Sequence, residues 1–107
     1  MTLSTHVLDT ELGRPAVGLP VRLEQFTEAT WRVVARGITD TDGRLRDLAS
    51  EELPAGRYRL IFDTAGYQGE AAFFPEVVVN FRMSNPNEHY HVPLLLSPFS
   101  YSTYRGN

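Results

Sequence analysis

The sequence predicts an all-β domain, an antiparallel sandwich or barrel, on three observations. Apolar and polar residues alternate with a period of two along most of the chain, the pattern of strands with one dry and one wet face. Turn-forming clusters separate these stripes at roughly 8–12-residue spacing, the interval of sandwiches and barrels. Only Thr64 to Ala72 reads as helix.

The first strand places Leu3, Thr5 and Val7 on one face and Ser4, His6 and Leu8 on the other. With Val7 turned into the core, His6 points out. Gly13-Arg14-Pro15 turns the chain into a stripe of Val21 and Leu23 alternating with Arg22 and Glu24. Trp31, Val33 and Ala35 form the next stripe, between Arg32 and Arg36. Asp40-Thr41-Asp42-Gly43 and Pro54-Ala55-Gly56 are turns, because Asx side chains bond their own backbone and Gly tolerates positive φ. Tyr58, Leu60 and Phe62 follow, alternating with Arg57, Arg59 and Asp63. The helix has Thr64 as its expected N-cap and is weakened by Gly66 and Gly69. Val77, Val79 and Phe81 make another strand, and Asn85-Pro86-Asn87 turns into the last long one. There Tyr90, Val92, Leu94 and Leu96 face the core, while His89, His91, Pro93, Leu95 and Ser97 face outward. Pro93 has no N–H, so it must sit where the ladder needs no donor.

Composition narrows the chemistry. The 107 residues suit a single domain over 1–107. A net charge of −3 provides no basic field for nucleic acid or an anionic membrane. All ten cations are Arg, which excludes a Schiff-base or P-loop lysine. With no Cys there is no disulfide, thiolate metal site or thiol nucleophile. The N-terminal segment lacks the basic and apolar regions of a secretory signal, and no apolar run approaches the ~20 residues of a membrane span. A cytoplasmic protein is the expectation.

All three histidines fall on outward faces, beside Leu8 and Leu95. Such mixed apolar and imidazole faces mark a subunit contact or ligand site more than plain solvent. His89 and His91 share a face at i and i+2, but one further His and no companion carboxylate make a weak metal set. Arg44, after an acidic turn, is either a solvated hairpin arginine or a fork that clamps an anion or polarises a carbonyl. Tyr101-Ser102-Thr103-Tyr104 alternates as an ordered edge strand would, although tails commonly fray.

The segments Thr5-His6-Val7-Leu8-Asp9, Asp42-Gly43-Arg44-Leu45, His89 to Pro98 and Tyr101-Ser102-Thr103-Tyr104-Arg105-Gly106 strongly resemble the 5-hydroxyisourate hydrolases. These are the transthyretin-related proteins of purine catabolism, and the similarity runs over essentially the whole chain. The resemblance implies a transthyretin-like antiparallel β-sandwich of two four-stranded sheets with one short helix. It further implies a homotetramer, a dimer of dimers with sites in the channel between dimers. Carried across by matching residues, the catalytic set is His6, Arg44 and His91, with His6, Arg44 and Tyr104 contacting substrate. The family motif ends Tyr-Arg-Gly-Ser, whereas Asn107 stands last here, with a terminal carboxylate expected at the same place.

The implied substrate is 5-hydroxyisourate, whose ring opens at the amide-like N1–C6 bond to a carboxylated ureidoimidazoline. No metal or organic cofactor is implied. The alternative is a small-molecule carrier like transthyretin, which needs a longer, more apolar channel than His6, Arg44, His91 and Tyr104 would line. A non-catalytic interaction module, the remaining rival, fits poorly with absent disulfides.

Overall fold

A computed structural model describes residues 2–49, 53–85 and 87–107. Two sheets face one another across a single apolar core, as the alternation requires. The first is built around β1 (Thr2–Asp9), which pairs with β2 (Arg14–Pro15). The second has the order β4-β3-β6-β7, from β3 (Pro20–Thr27), β4 (Thr30–Ile38), β6 (Gly56–Phe62) and β7 (Val77–Met83), and is antiparallel throughout. β5 (Arg44–Ala49) joins β1 antiparallel, while β8 (His89–His91) and β9 (Leu94–Leu96) join it in parallel. β10 (Tyr101–Thr103) completes the first sheet against β9.

Leu3, Val7, Leu23, Tyr58, Leu60, Phe62, Val77, Met83 and Leu94 are wholly buried, with Leu96 close behind. Each contributes about 1.5–3 kcal/mol on burial, so a one-residue slip of β1 or β9 would forfeit several such terms. That penalty orients the histidines. With Leu3, Thr5 and Val7 locked inward, Ser4 and His6 have only the outer face.

Several expectations are corrected by tertiary contacts. The last strand is two strands: the ladder stops at Val92-Pro93, the position Pro93 requires, and Pro93 is buried rather than outward. Leu8 and Leu95, expected to be exposed, are half-buried partners in adjacent strands. A bulge splits the Trp31, Val33, Ala35 stripe. Leu23 pairs Ala35 but Glu24 pairs Val33, leaving Val34 as the extra residue, so Trp31 and Ala35 lie on opposite faces. Glu24, expected to be wet, is only 6% exposed. Its carboxylate accepts from Arg22 at 2.9 Å and from Arg59 at 2.7 Å, and Arg59 lies over the Trp31 ring. Burial alone would raise its pKa, but the two guanidiniums outweigh burial and hold it below the usual carboxylate value.

The helix is α1 (Thr64–Gln68), shorter than expected, and its N-cap is Asp63 rather than Thr64. The Thr64 hydroxyl is buried and donates to the Phe74 carbonyl. The Asp63 carboxylate therefore accepts the Gly66 N–H instead, at 2.9 Å. Arg14-Pro15, expected in a turn, forms β2, with the turn lying just before it. β5 carries no clean alternation and was not anticipated by the period-two count. Of the Asn85-Pro86-Asn87 turn, Pro86 lies outside the described residues.

Candidate functional site

The outer face of the first sheet gathers the candidate residues through register alone. His6 lies opposite Arg44 across the β1–β5 ladder, and Ser4 opposite His91 across β1–β8. Since Ser4 and His6 share one face of β1, His6, Arg44 and His91 are nearest neighbours or diagonal ones, within reach of long side chains. Buried Tyr90 pins β8, its hydroxyl accepting from the Ser84 and Asn85 N–H groups at 3.0 and 2.9 Å. With Tyr90 inward, His89 and His91 turn outward on either side of it.

The turn that delivers Arg44 is organised by Asp40, whose Oδ1 accepts from the N–H groups of Asp42 (2.8 Å) and Arg44 (2.9 Å). Those bonds stabilise the carboxylate and lower the Asp40 pKa. Gly43 lets the turn close onto β1. Its φ is 73°, and a Cβ there would stand 2.5 Å from the Val7 carbonyl oxygen. The Gly43 carbonyl accepts the Val7 N–H at 2.8 Å, stitching the turn beside His6. The Asp42 carbonyl lies 2.9 Å from His6 Nε2. A carbonyl only accepts, so His6 carries a proton on Nε2.

His91 is half-buried. Ser4 Oγ sits 2.7 Å from its Nδ1. Burial holds its pKa below the free imidazole value of 6.5, and the charge of Arg44, then His6 and His89, adds to that fall. A neutral imidazole near neutrality is the form that accepts a proton. On its far edge lies Gly106, whose N–H donates to the His91 carbonyl at 2.8 Å. A Cβ on Gly106 would stand 2.6 Å from His91 Cδ2.

That contact shows the tail to be docked. β10 pairs with β9, Thr103 donates to the Pro93 carbonyl at 2.7 Å, and Arg105 pairs with Glu88 at 2.8 Å over the Tyr90 ring. Tyr104 follows β10, is 58% exposed, and lines a cavity of about 220 Å³ together with His91, Val79, Phe81 and Arg105. His6 and Arg44 do not line that cavity. They stand on the open sheet face on the other side of His91. Two larger concavities, of 610 and 640 Å³, lie around Tyr67 and Phe99 and around Arg36 and Ile61, away from the histidines.

Ser4, Asp40, Gly43 and Gly106 are the site residues that pattern reading missed. The Asp-Gly pair at 42–43 signals a turn, yet nothing in it reveals that the turn lands on β1. Ser4 is visible only as outward parity. Among the described residues, no group of three His, Asp or Glu has metal-holding geometry, and no helix is long and apolar enough to cross a membrane.

Known proteins resemble this chain over nearly its whole length. A 5-hydroxyisourate hydrolase of Salmonella dublin is 50% identical over 109 residues, covering 98% of this chain and 80% of that one. The solved structure of a Klebsiella pneumoniae 5-hydroxyisourate hydrolase superposes with a TM-score of 0.86 at 35% identity, covering 100% of both chains. Sea bream transthyretin in complex with thyroxine superposes with a TM-score of 0.89 at 37% identity, covering 99% of this chain and 95% of that one. Transthyretin's family model, described as HIUase/Transthyretin, matches residues 3–106. On the sandwich, its parallel β1–β8–β9 core and this breadth of match, the chain belongs to the HIUase/transthyretin family.

Proposed function

We propose that this protein hydrolyses 5-hydroxyisourate in urate degradation, with His6, Arg44 and His91 carrying the reaction and Tyr104 contacting the substrate. The observation that carries the reading is the convergence of a neutral-leaning imidazole, a second imidazole and a guanidinium on one sheet face, with Arg44 and His6 both close enough to depress His91. An apolar hormone would gain nothing from that set.

The chemistry follows from the groups. One imidazole takes a proton from water as the water oxygen bonds to the carbonyl carbon, and the C=O π pair moves onto oxygen. Arg44 meets the developing oxyanion with its fork of N–H donors. When the pair returns to carbon the C–N bond breaks, its electrons leave on nitrogen, and a protonated imidazole supplies that nitrogen with a proton. The Tyr104 phenol lies on the flank of His91, where it can stack on a planar ring and limit water. Hydrolysis by this set needs no cofactor.

The open site argues for assembly as a homotetramer, a dimer of dimers whose second dimer covers the histidine face. Exposed Leu12, Val17 and Phe99, and the open edges of β7 and β10, offer surfaces for contacts between copies. The absence of cysteine suits a cytoplasmic setting. The carrier reading has the transthyretin superposition in its favour. Against it stands the charge and hydrogen-bonding capacity of His6, Arg44 and His91.

The test is the ultraviolet decay of freshly generated urate-oxidase product with and without the protein. Catalysed decay far above the spontaneous rate is expected. Decay at the spontaneous rate, with tight binding of an apolar ligand, would transfer the protein to the carrier class.

A further inference from the structure

We infer that Ser4 and His89 form a hydrogen-bonded relay that sets the tautomer of His91, holding its proton on Nδ1 and leaving Nε2 bare as the base. The inference deepens the hydrolase reading and rests on it for the word base.

Ser4 Oγ is placed between two imidazoles, 2.7 Å from His91 Nδ1 and 2.9 Å from His89 Nε2. The far nitrogen of His89, Nδ1, lies 2.5 Å from Thr2 Oγ1. A serine hydroxyl has one proton. It can donate to only one of the two rings and must accept from the other, so the two histidines cannot choose tautomers independently. Two directions of the chain are possible. In one, His91 Nδ1–H donates to Ser4, Ser4 donates to His89 Nε2, and His89 Nδ1–H donates to Thr2. In the other every bond reverses and His91 carries its proton on Nε2.

The side on which Ser4 sits breaks this tie. Ser4 Oγ occupies the Nδ1 edge of His91, which among the described residues leaves Nε2 as the nitrogen available to water. A general base must offer that nitrogen bare. A neutral ring with Nε2 bare carries its proton on Nδ1 and donates it to Ser4. The charged and titratable groups facing His91 are Arg44 on β5, His6 on β1, His89 on its own strand, and Arg82, Tyr104 and Arg105, which line the cavity beside it. Arg44, His6 and His89 disfavour an imidazolium at rest. Hence the nitrogen that bears the single proton decides what the ring can do.

His6 is held the opposite way, with Nε2–H on the Asp42 carbonyl. The two imidazoles therefore present different nitrogens to the face they share. Under this assignment His91 Nε2 takes the proton of water and the imidazolium so formed returns it to the leaving nitrogen, while the bare Nδ1 of His6 can accept a hydrogen bond from the water. Ser4 and His89 are positioning residues: they act through His91 and need not touch substrate.

The experiment is ¹⁵N NMR of the histidine side chains at pH 7.5 in the substrate-free protein, with kcat and KM measured separately. Wild type is expected to show His91 protonated at Nδ1. Ser4→Ala should shift His91 toward the Nε2–H form and lower kcat by roughly tenfold or more, with KM within about twofold. Ser4→Thr, which keeps the hydroxyl, should restore both. His89→Ala, an exposed change, should move the tautomer in the same direction by a smaller amount. A wild-type His91 protonated at Nε2 overturns the inference, as does a Ser4→Ala protein with unchanged tautomer or unchanged kcat. Failure of wild type to hydrolyse 5-hydroxyisourate would instead sink the hydrolase reading, leaving the substrate-free tautomer result to be judged on its own.

Discussion

Gly106→Ala is the sharpest single test of how the tail serves the site. The added Cβ would lie 2.6 Å from His91 Cδ2, 3.3 Å from Cγ and 3.4 Å from the His91 carbonyl oxygen. Non-bonded carbons rest at about 3.5–4.0 Å, so ring and tail must separate by about 1 Å. Backbone strain is no part of the effect, because Gly106 is not among the residues with positive φ. The tail is anchored by the Gly106 N–H bond, the Thr103 hydroxyl and the Arg105–Glu88 pair. Among the described residues, the only hydrogen bond to the ring on its other side is the 2.7 Å one to Ser4. The ring therefore yields. A misplacement of about 1 Å at a catalytic group costs roughly 10²-fold in rate, equivalent to about 2.7 kcal/mol of transition-state stabilisation. Overpacking should reduce stability by only about 1–3 kcal/mol. The assay is initial-rate kinetics on fresh 5-hydroxyisourate, corrected for spontaneous decay, beside thermal unfolding of both proteins. An alanine variant with kcat/KM within threefold of wild type and an unchanged Tm would refute the reasoning, since the clash would then have been absorbed without moving His91.

Three further outcomes are expected. Arg44→Gln removes a charge that holds His91 below 6.5, so the His91 pKa rises and the acid limb of kcat/KM moves to higher pH, while kcat falls by ~10²–10³-fold; a limb that stays in place would separate Arg44 from His91. Tyr104→Ala, which strips the aromatic wall from the cavity flanking His91, should raise KM by ~3–10-fold through lost stacking, and an unchanged KM would remove Tyr104 from the site. Glu24→Gln should destabilise the fold by about 1–3 kcal/mol at pH 7, measured by urea unfolding, because Arg22 and Arg59 lose their shared anion. A depressed carboxylate stabilises the fold above its unfolded value of 4.5 and loses that contribution as pH falls through its lower folded value, so the gap between the two proteins should close in acid; a pH-independent gap would point to packing instead.

Parity alone determined which way His6, His89 and His91 face. Leu3, Thr5 and Val7 against Ser4 and His6, and Tyr90 and Val92 against His89 and His91, follow from side chains alternating about a backbone whose apolar half must leave water. The tail's order was legible for the same reason, its alternation matching a strand that pairs with β9. What the linear pattern could not hold was everything that depends on the neighbour across the ladder. The bulge at Val34 arises from pairing with β3 and turns Trp31 and Ala35 to opposite faces. Glu24 is dry because Arg22 and Arg59 converge on it, not because of its own position. β5 lacks alternation and exists because β1 offers it an edge. The same holds for the site's supports. Ser4 and Gly106 acquire their roles only when residues 87 positions apart in one case and 15 in the other are brought within 2.7 and 2.8 Å of each other. Hydrophobic period is a property of one strand and is written in one segment; register, bulges and hydrogen-bonded imidazoles are properties of pairs of segments, and only the folded chain brings those pairs together.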